Sequence, residues 1–189
     1  MTRVATASVS LTRIELLRRA AALVAGVVLV ALSAQFAVPL PGTPVPVTFQ
    51  VCAVLIVGGL LGPRFGAMSL GLYLLLGAAG LPVFQPLGVP GAARLIGPTG
   101  GYLLAYPLAA AAVGALVGDA RHWGRLLGGL VAGALIIHLG GVSQLAILSG
   151  GMSQAIAMGS VPFLLGDALK VALAALVVRR LAAATRALR

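Results

Sequence analysis

Two charged residues lie inside an apolar run near the end of this chain. Asp167 and Lys170 are three positions apart within residues 161–181. Because successive helical residues turn by about 100°, a carboxylate and an ammonium at this spacing share one helix face. A lone charge near the centre of a membrane helix costs about 2.5–3.5 kcal/mol on insertion scales. The pair therefore predicts an ion pair that pins the helix to its neighbours or, as we favour, a polar site for a ligand or ion.

The composition places these residues in a membrane protein. Of 189 residues, 60% are hydrophobic and 8% are charged, and the mean hydropathy is +1.12. A soluble domain of this size does not need so much apolar surface, so we expect contact with membrane lipid. The net charge of +10 comes from arginines at the ends of apolar runs. This placement is typical of topology signals and argues against a nucleic-acid partner.

Breaks between apolar runs predict an all-α integral membrane protein with six transmembrane helices in a single membrane domain, 1–189. A polar, basic segment (1–19) precedes a six-helix bundle (20–183). Proline-rich residues 39–46 form a stiff connector, and Gly62 and Pro63 separate the second and third helices. We expect a long outer loop between helices three and four (80–100) and a charge-free connector at 149–160. The predicted helices cover 20–38, 48–61, 65–79, 101–117, 126–148 and 161–181.

The arginines fall on one face of this arrangement. Six spans place both termini on the same side as the cations Arg64, Arg121 and Arg125, whereas Arg94 alone faces the other side. The excess of positive charge marks the cytoplasmic side of a membrane protein. We therefore predict a multi-pass protein of the bacterial inner membrane with both termini in the cytoplasm.

The outer loop offers partners for an anion. Non-helical backbone at membrane depth is buried in protein or lines a cavity, so we expect this loop to do so. Thr99 is a predicted N-cap, and the free amides of a helix start favour negative charge. Together with Asp167 and Lys170, the candidate substrate-binding residues are Arg94, Phe84, Gln85, Thr99, Gly100, Gly101 and Tyr102. This set suits a small amphipathic ligand that carries an acid group and a polar head.

The motifs of several enzyme classes are missing from the sequence. No Lys-Ser/Thr pair follows the glycines at 97–101, so the loop is not a Walker A motif, and there is no H-E-x-x-H. Cys52 is the single cysteine, and we interpret His138 as a residue that packs or hydrogen-bonds across helices rather than as a metal ligand. We therefore expect no enzyme activity, no cofactor and no metal site.

Small residues four apart allow helices to approach closely. Ala21 and Ala25 have this spacing in the first predicted helix. Internal packing and contact with another protein are both open there.

Four segments resemble the BioY family, the substrate-binding membrane subunits of energy-coupling-factor biotin transporters. They are PGTPVPVTFQ (41–50), GLLGPRFGAMSLGLYLLLGAAGLPVF (59–84), GPTGGYLLAYP (97–107) and PFLLGDALK (162–170). The resemblance implies a six-helix subunit that binds biotin near the outer face and works with a transmembrane coupling subunit and two ATPases. It places Asp167, Lys170 and residues 97–102 at the biotin site. It also places Ala21 and Ala25, loosely, at the coupling-subunit contact.

Two other functions fit the buried pair. An ion-coupled secondary carrier for a small anionic metabolite would use a similar acid and base, although such carriers commonly show inverted repeats. A membrane scaffold without a ligand would keep Asp167 and Lys170 as a structural pair.

Overall fold

The structure, a computed structural model, describes residues 2–118, 120 and 122–185, with side chains from residue 13 onward. Arg121, which entered the charge argument, lies outside the described residues, as do residues 1, 119 and 186–189. Within these ranges the regular elements are helices, together with one isolated β-bridge between Val38 and Val47. The helices are α1 (Thr2–Gln35), α2 (Gln50–Ala78), α3 (Ala93–Ile96), α4 (Gly100–Val117), α5 (Trp123–Ser149), α6 (Met152–Gly159) and α7 (Leu164–Leu181), with a 3-10 turn (Val161–Phe163) before α7.

Five helical segments in the described part of the chain are long and apolar enough to cross a membrane. They are Arg13–Gln35, Gln50–Ala78, Gly100–Val117, Trp123–Ser149 and Met152–Leu181. The prediction of an all-helical membrane protein is thereby confirmed. The difference from the predicted six helices lies in α2, which joins the second and third predicted helices, and the six-helix count stays a prediction.

The two halves of α2 fold back on each other at Gly62. This glycine has φ +78° and ψ −178°, and Pro63 follows it inside the helix. A Cβ built on Gly66 would lie 3.2 Å from the Cα of Gly58. In a straight helix, residues eight apart are separated by about 12 Å. The two arms of α2 (50–61 and 63–78) are therefore antiparallel, and a side chain at Gly114 of α4 would overlap the turn between them.

Helix α4 packs against α2 and α5. Helix α7 packs against α2 and α5, whereas α1 packs against α2 alone among the described helices. Buried apolar side chains fill the spaces between these helices, among them Val30, Leu70, Leu130 and Val178.

Three predicted boundaries were wrong. Helix α1 begins at Thr2 instead of residue 20, because the polar segment still consists mostly of residues that helices tolerate. The loop that we predicted to lie on the outer side contains α3, so the non-helical stretch is shorter than 80–100. The connector at 149–160 contains α6, because Gln and Ala between the glycines favour helix, and Ala155 is fully buried in the packed core.

Arg19 of α1 and Arg179 of α7 lie at one end of the bundle. The guanidinium of Arg19 lies over the Phe65 ring at 5.7 Å, beside the α2 turn, and that of Arg179 lies over the Trp123 ring at 4.2 Å. These stacks bring the cations of α1 and α7 to the same end as the α2 turn and the start of α5. Arg94 lies at the opposite end, next to the cavities described below.

Candidate ligand-binding site

Both carboxylate oxygens of Asp167 have a partner. The Nζ atom of Lys170 lies 2.7 Å from Oδ1, and Nε2 of His138 on α5 lies 2.8 Å from Oδ2. Asp167 and Lys170 are 6% and 8% exposed, so the two charges are buried beside each other, as their spacing in sequence predicted. Nδ1 of His138 lies 3.2 Å from Oγ of Ser160. The buried pair is thus part of a network that joins α5, α7 and the segment before it.

This network opens into a narrow cavity at the end of the bundle opposite Arg19 and Arg179. Five of the nine predicted substrate-binding residues line that cavity: Gln85, Thr99, Tyr102, Asp167 and Lys170. The structure therefore brings together residues from the outer loop, α4 and α7. Its wall also contains apolar side chains, among them Ile137 and Phe163, so the cavity is amphipathic.

Further polar groups on the cavity wall are held by hydrogen bonds. The Tyr102 hydroxyl donates to the carbonyl oxygen of Gly159 at 2.5 Å. Nε2 of Gln50 donates to the Tyr73 hydroxyl at 2.9 Å, and the Thr48 hydroxyl donates to Oε1 of Gln50 at 3.2 Å. These bonds fix the wall of the cavity before any ligand arrives.

Gln85 is an exception to this pattern. Its side chain is 6% exposed, yet its Oε1 atom has no hydrogen-bond partner among the described residues. A buried polar atom without a partner is rare and costs about 1–3 kcal/mol. The amide lies where a ligand could supply the missing bond.

Arg94 does not line the cavity described above, which we call the inner cavity. It lines a second, neighbouring cavity, which we call the outer cavity. Its guanidinium donates to three carbonyl oxygens of its own loop: Nε to Val89 at 2.8 Å, Nη2 to Gln85 at 2.9 Å, and Nη1 to Leu87. Burial lowers the pKa of Arg94, and the smaller, opposite effect of nearby Tyr73 does not cancel this shift. A guanidinium nevertheless stays charged in proteins. Arg94 therefore organises the loop and leaves its charge beside the outer cavity.

The two cavities are neighbours. Pro46, Gln85 and Thr99 line both of them. The two cavities therefore adjoin at these three residues.

Three predicted site residues lie in packed structure rather than on the inner cavity. The Phe84 ring stacks edge-on against Tyr73, with ring centroids 5.4 Å apart. Side chains at Gly100 and Gly101 would overlap the backbones of Leu95 and Gly140, so these glycines allow α4 to approach its neighbours closely.

Thr99 occupies the N-cap position of α4, as predicted. Its side chain makes no capping hydrogen bond. It remains on the walls of both cavities.

Ala21 and Ala25, the predicted coupling-subunit contacts, are exposed on the outward face of α1. The next small residue, Gly26, faces inward, where a Cβ would lie 2.8 Å from Oγ of Ser69. The two alanines are thus available to another protein, and Gly26 serves internal packing.

Sequence reasoning missed two parts of the site. His138 was expected to pack or to hydrogen-bond across helices, and it does bond to Asp167 on α7. Its place on the cavity wall was missed, although an ionisable side chain within a membrane helix is by itself a functional signal. The connector at 39–46 was treated as a linker, but paired backbone hydrogen bonds of 2.9 Å between Val38 and Val47 fold the segment between α1 and α2 back on itself. Val45 and Thr48 of this segment line the cavity.

Comparisons with known proteins show the family and a similar fold. The profile described as "BioY family" matches residues 3–187. A probable biotin transporter BioY of Pyrococcus horikoshii is 38% identical over 82% of this chain and 90% of the relative. The biotin transporter BioY of Thermotoga maritima is 39% identical over 81% of this chain and 89% of the relative. A crystal structure of the S-component for biotin from an ECF-type ABC transporter superposes with a TM-score of 0.76 at 28% identity, covering 96% of this chain and 94% of that one. The chain belongs to the BioY family.

Proposed function

We propose that this chain captures biotin near the outer face of the cell membrane, as the substrate-binding subunit of an energy-coupling-factor transporter. The observation that carries the proposal is the buried ion pair of Asp167 and Lys170 on the wall of an amphipathic cavity. The relatives described as biotin transporters, and the similar fold described as the S-component for biotin, support the choice of ligand.

The chemistry of biotin fits the lining of the cavity. Its ureido ring presents two N–H donors and one carbonyl acceptor, and its tail ends in a carboxylate. Asp167 accepts from a ureido N–H, Lys170 donates to an oxygen of the ligand, and Gln85 provides a further amide. The sulfur-containing ring and the alkyl tail pack against Ile137 and Phe163, where burial of apolar surface contributes about 25 cal/mol per Å².

The proposal includes a topology. Each arm of α2 crosses the membrane, which makes six crossings within a single membrane domain, and both termini lie in the cytoplasm of a bacterial inner-membrane protein. The position of Arg19 and Arg179 at the end opposite the cavities supports this orientation. A coupling subunit contacts α1 at Ala21 and Ala25, and two ATPases supply the energy from the cytoplasmic side.

Binding by the isolated chain tests the proposal. We expect the purified protein in detergent to bind biotin without ATP or partner subunits, and biotin to raise its unfolding temperature. Lipoic acid, which has the same pentanoate tail but no ureido ring, should bind far more weakly. Equal binding of both acids, or no binding of biotin, would contradict the proposal.

A secondary carrier would behave differently in liposomes. If the chain is a substrate-binding subunit, it should bind biotin in liposomes without accumulating it when it has a proton gradient but neither ATP nor partner subunits. Gradient-driven accumulation would favour the carrier.

A further inference from the structure

His138 stands between two groups of the candidate site. Its Nε2 atom lies 2.8 Å from Oδ2 of Asp167, and its Nδ1 atom lies 3.2 Å from Oγ of Ser160. The Tyr102 ring meets the imidazole edge-on, with centroids 6.4 Å apart. His138 also lines the inner cavity, so a bound ligand would lie close to the imidazole.

The imidazole fixes the orientation of the Asp167 carboxylate. Lys170 follows Asp167 on the same helix and holds Oδ1 alone, whereas His138 reaches Oδ2 from α5. With both oxygens held from two helices, the carboxylate has one orientation toward the cavity. Without the bond from α5, rotation of the carboxylate would be limited by a single partner.

Charge balance gives the imidazole a second role. Asp167 and Lys170 neutralise each other, so a carboxylate that enters the cavity adds one uncompensated negative charge, which is costly to bury. Arg94 keeps its charge but lines the outer cavity and not the inner one, so a carboxylate inside the inner cavity has no direct contact with that guanidinium. A proton on His138 would restore neutrality, and both ring nitrogens would then donate, to Asp167 and to Ser160.

We propose that His138 is a positioning residue that holds Asp167 toward the ligand and takes up a proton when an anionic ligand binds. The inference rests on the proposed function, because biotin is the anion. The other titratable or charged side chains that the packed helices bring to this region are Asp167 and Lys170 from α7, Tyr102 and Tyr106 from α4, and Cys52 and Tyr73 from α2, while α6 carries none. Between pH 6 and 8, an imidazole is the group in this set that ordinarily changes charge.

The test measures the dissociation constant of the purified protein from pH 6 to pH 8 for biotin and for the uncharged biotin amide. We expect biotin to bind about tenfold more tightly at pH 6 than at pH 8, since the protonated imidazole favours the anion. The amide should show no such dependence. A biotin affinity that stays constant across this range would overturn the inference.

Two variants separate positioning from packing. His138→Gln keeps a donor near the position of Nε2 but does not titrate, so biotin should bind within about threefold of the native affinity at pH 8 and show a flat pH profile. His138→Leu removes the donor and should weaken binding about tenfold to a hundredfold at pH 8. If His138→Leu does not fold, His138→Gln still decides the matter. A native pH profile in His138→Gln would overturn this inference alone, whereas failure of the unsubstituted protein to bind biotin at any pH would overturn the proposed function together with it.

Discussion

The Gln50 side chain donates to the Tyr73 hydroxyl at 2.9 Å across 23 positions of sequence. Gln50 begins the first arm of α2, Tyr73 lies in the second arm, and both are buried. The bond closes the open end of the fold-back, opposite the turn at Gly62. The same two arms therefore form a hairpin and, through Gln50, part of the cavity wall.

The fold-back leads to a topological prediction that labelling can test. In a Cys52→Ser background, single cysteines at Val89 and Ser153 should react with an impermeant thiol reagent on intact cells. Cysteines at Glu15, Gly124 and Ala184 should react only after the cells are opened. All five positions are exposed in the structure, so shielding by the fold does not explain a difference. Reaction at exactly one of Glu15 and Ala184 in sealed cells would indicate an odd number of crossings and contradict the six-crossing proposal.

Gln85 offers a separation of stability from binding. Because its buried Oε1 has no partner among the described residues, Gln85→Leu should leave the unfolding temperature unchanged or raise it. If the amide bonds the ligand, the same substitution should weaken biotin binding about tenfold. Thr48→Val, on another part of the wall, serves as a matched loss of a polar group that already has a partner. Native biotin affinity in Gln85→Leu would exclude a ligand bond to this side chain.

Arg94 combines a charge with a loop contact, and two substitutions distinguish them. Arg94→Lys keeps the charge but cannot donate in a fixed fork to three carbonyl oxygens. If the charge attracts the ligand carboxylate, Arg94→Ala should weaken binding of biotin more than binding of biotin amide. Arg94→Lys, which keeps the charge, should restore the native ratio of the two affinities. If both variants lose the same amount of affinity for biotin and for biotin amide, Arg94 only organises the loop and does not attract the carboxylate. Equilibrium binding of the two ligands provides the measurement.

The outward face of α1 is the predicted contact with a coupling subunit. Ala21→Trp and Ala25→Trp should preserve folding and biotin binding, because both positions are exposed, and should block ATP-driven uptake with the partner subunits. Gly26→Leu is the inward control and should lower the unfolding temperature, because a side chain there meets Ser69 and Leu61. Uptake that survives both tryptophan substitutions would remove this face from the coupling contact.

The parts of the fold that could be read from sequence depend on local rules. The spacing of Asp167 and Lys170 determines a shared helix face wherever the helix packs, and their contact follows. The break at Gly62 and Pro63 was visible for the same reason, since both residues act on their own backbone.

The parts that could not be read depend on contacts between distant segments. His138 meets Asp167 across 29 positions of sequence, and no local pattern on α5 announces that partner. Arg94 appeared to be a free cation for the ligand, but its three bonds arise from the path of the loop around it. Gly100 and Gly101 resembled an anion-binding helix start. In the structure, the backbones of Leu95 and Gly140 lie so close to them that a side chain at either position would overlap.

The affinity for biotin of the double variant Asp167→Asn with Lys170→Met tests the central claim most directly. A hydrogen bond to a charged group contributes about 1.5–3 kcal/mol, so each single substitution should weaken binding about tenfold to a hundredfold. A purely structural ion pair predicts that each single variant loses stability, because one buried charge is left alone, and that the double variant regains it. We predict that the double variant, shown by its unfolding temperature to be folded, remains deficient in biotin binding. A folded double variant with native biotin affinity would show that the pair is structural and would contradict the proposed site.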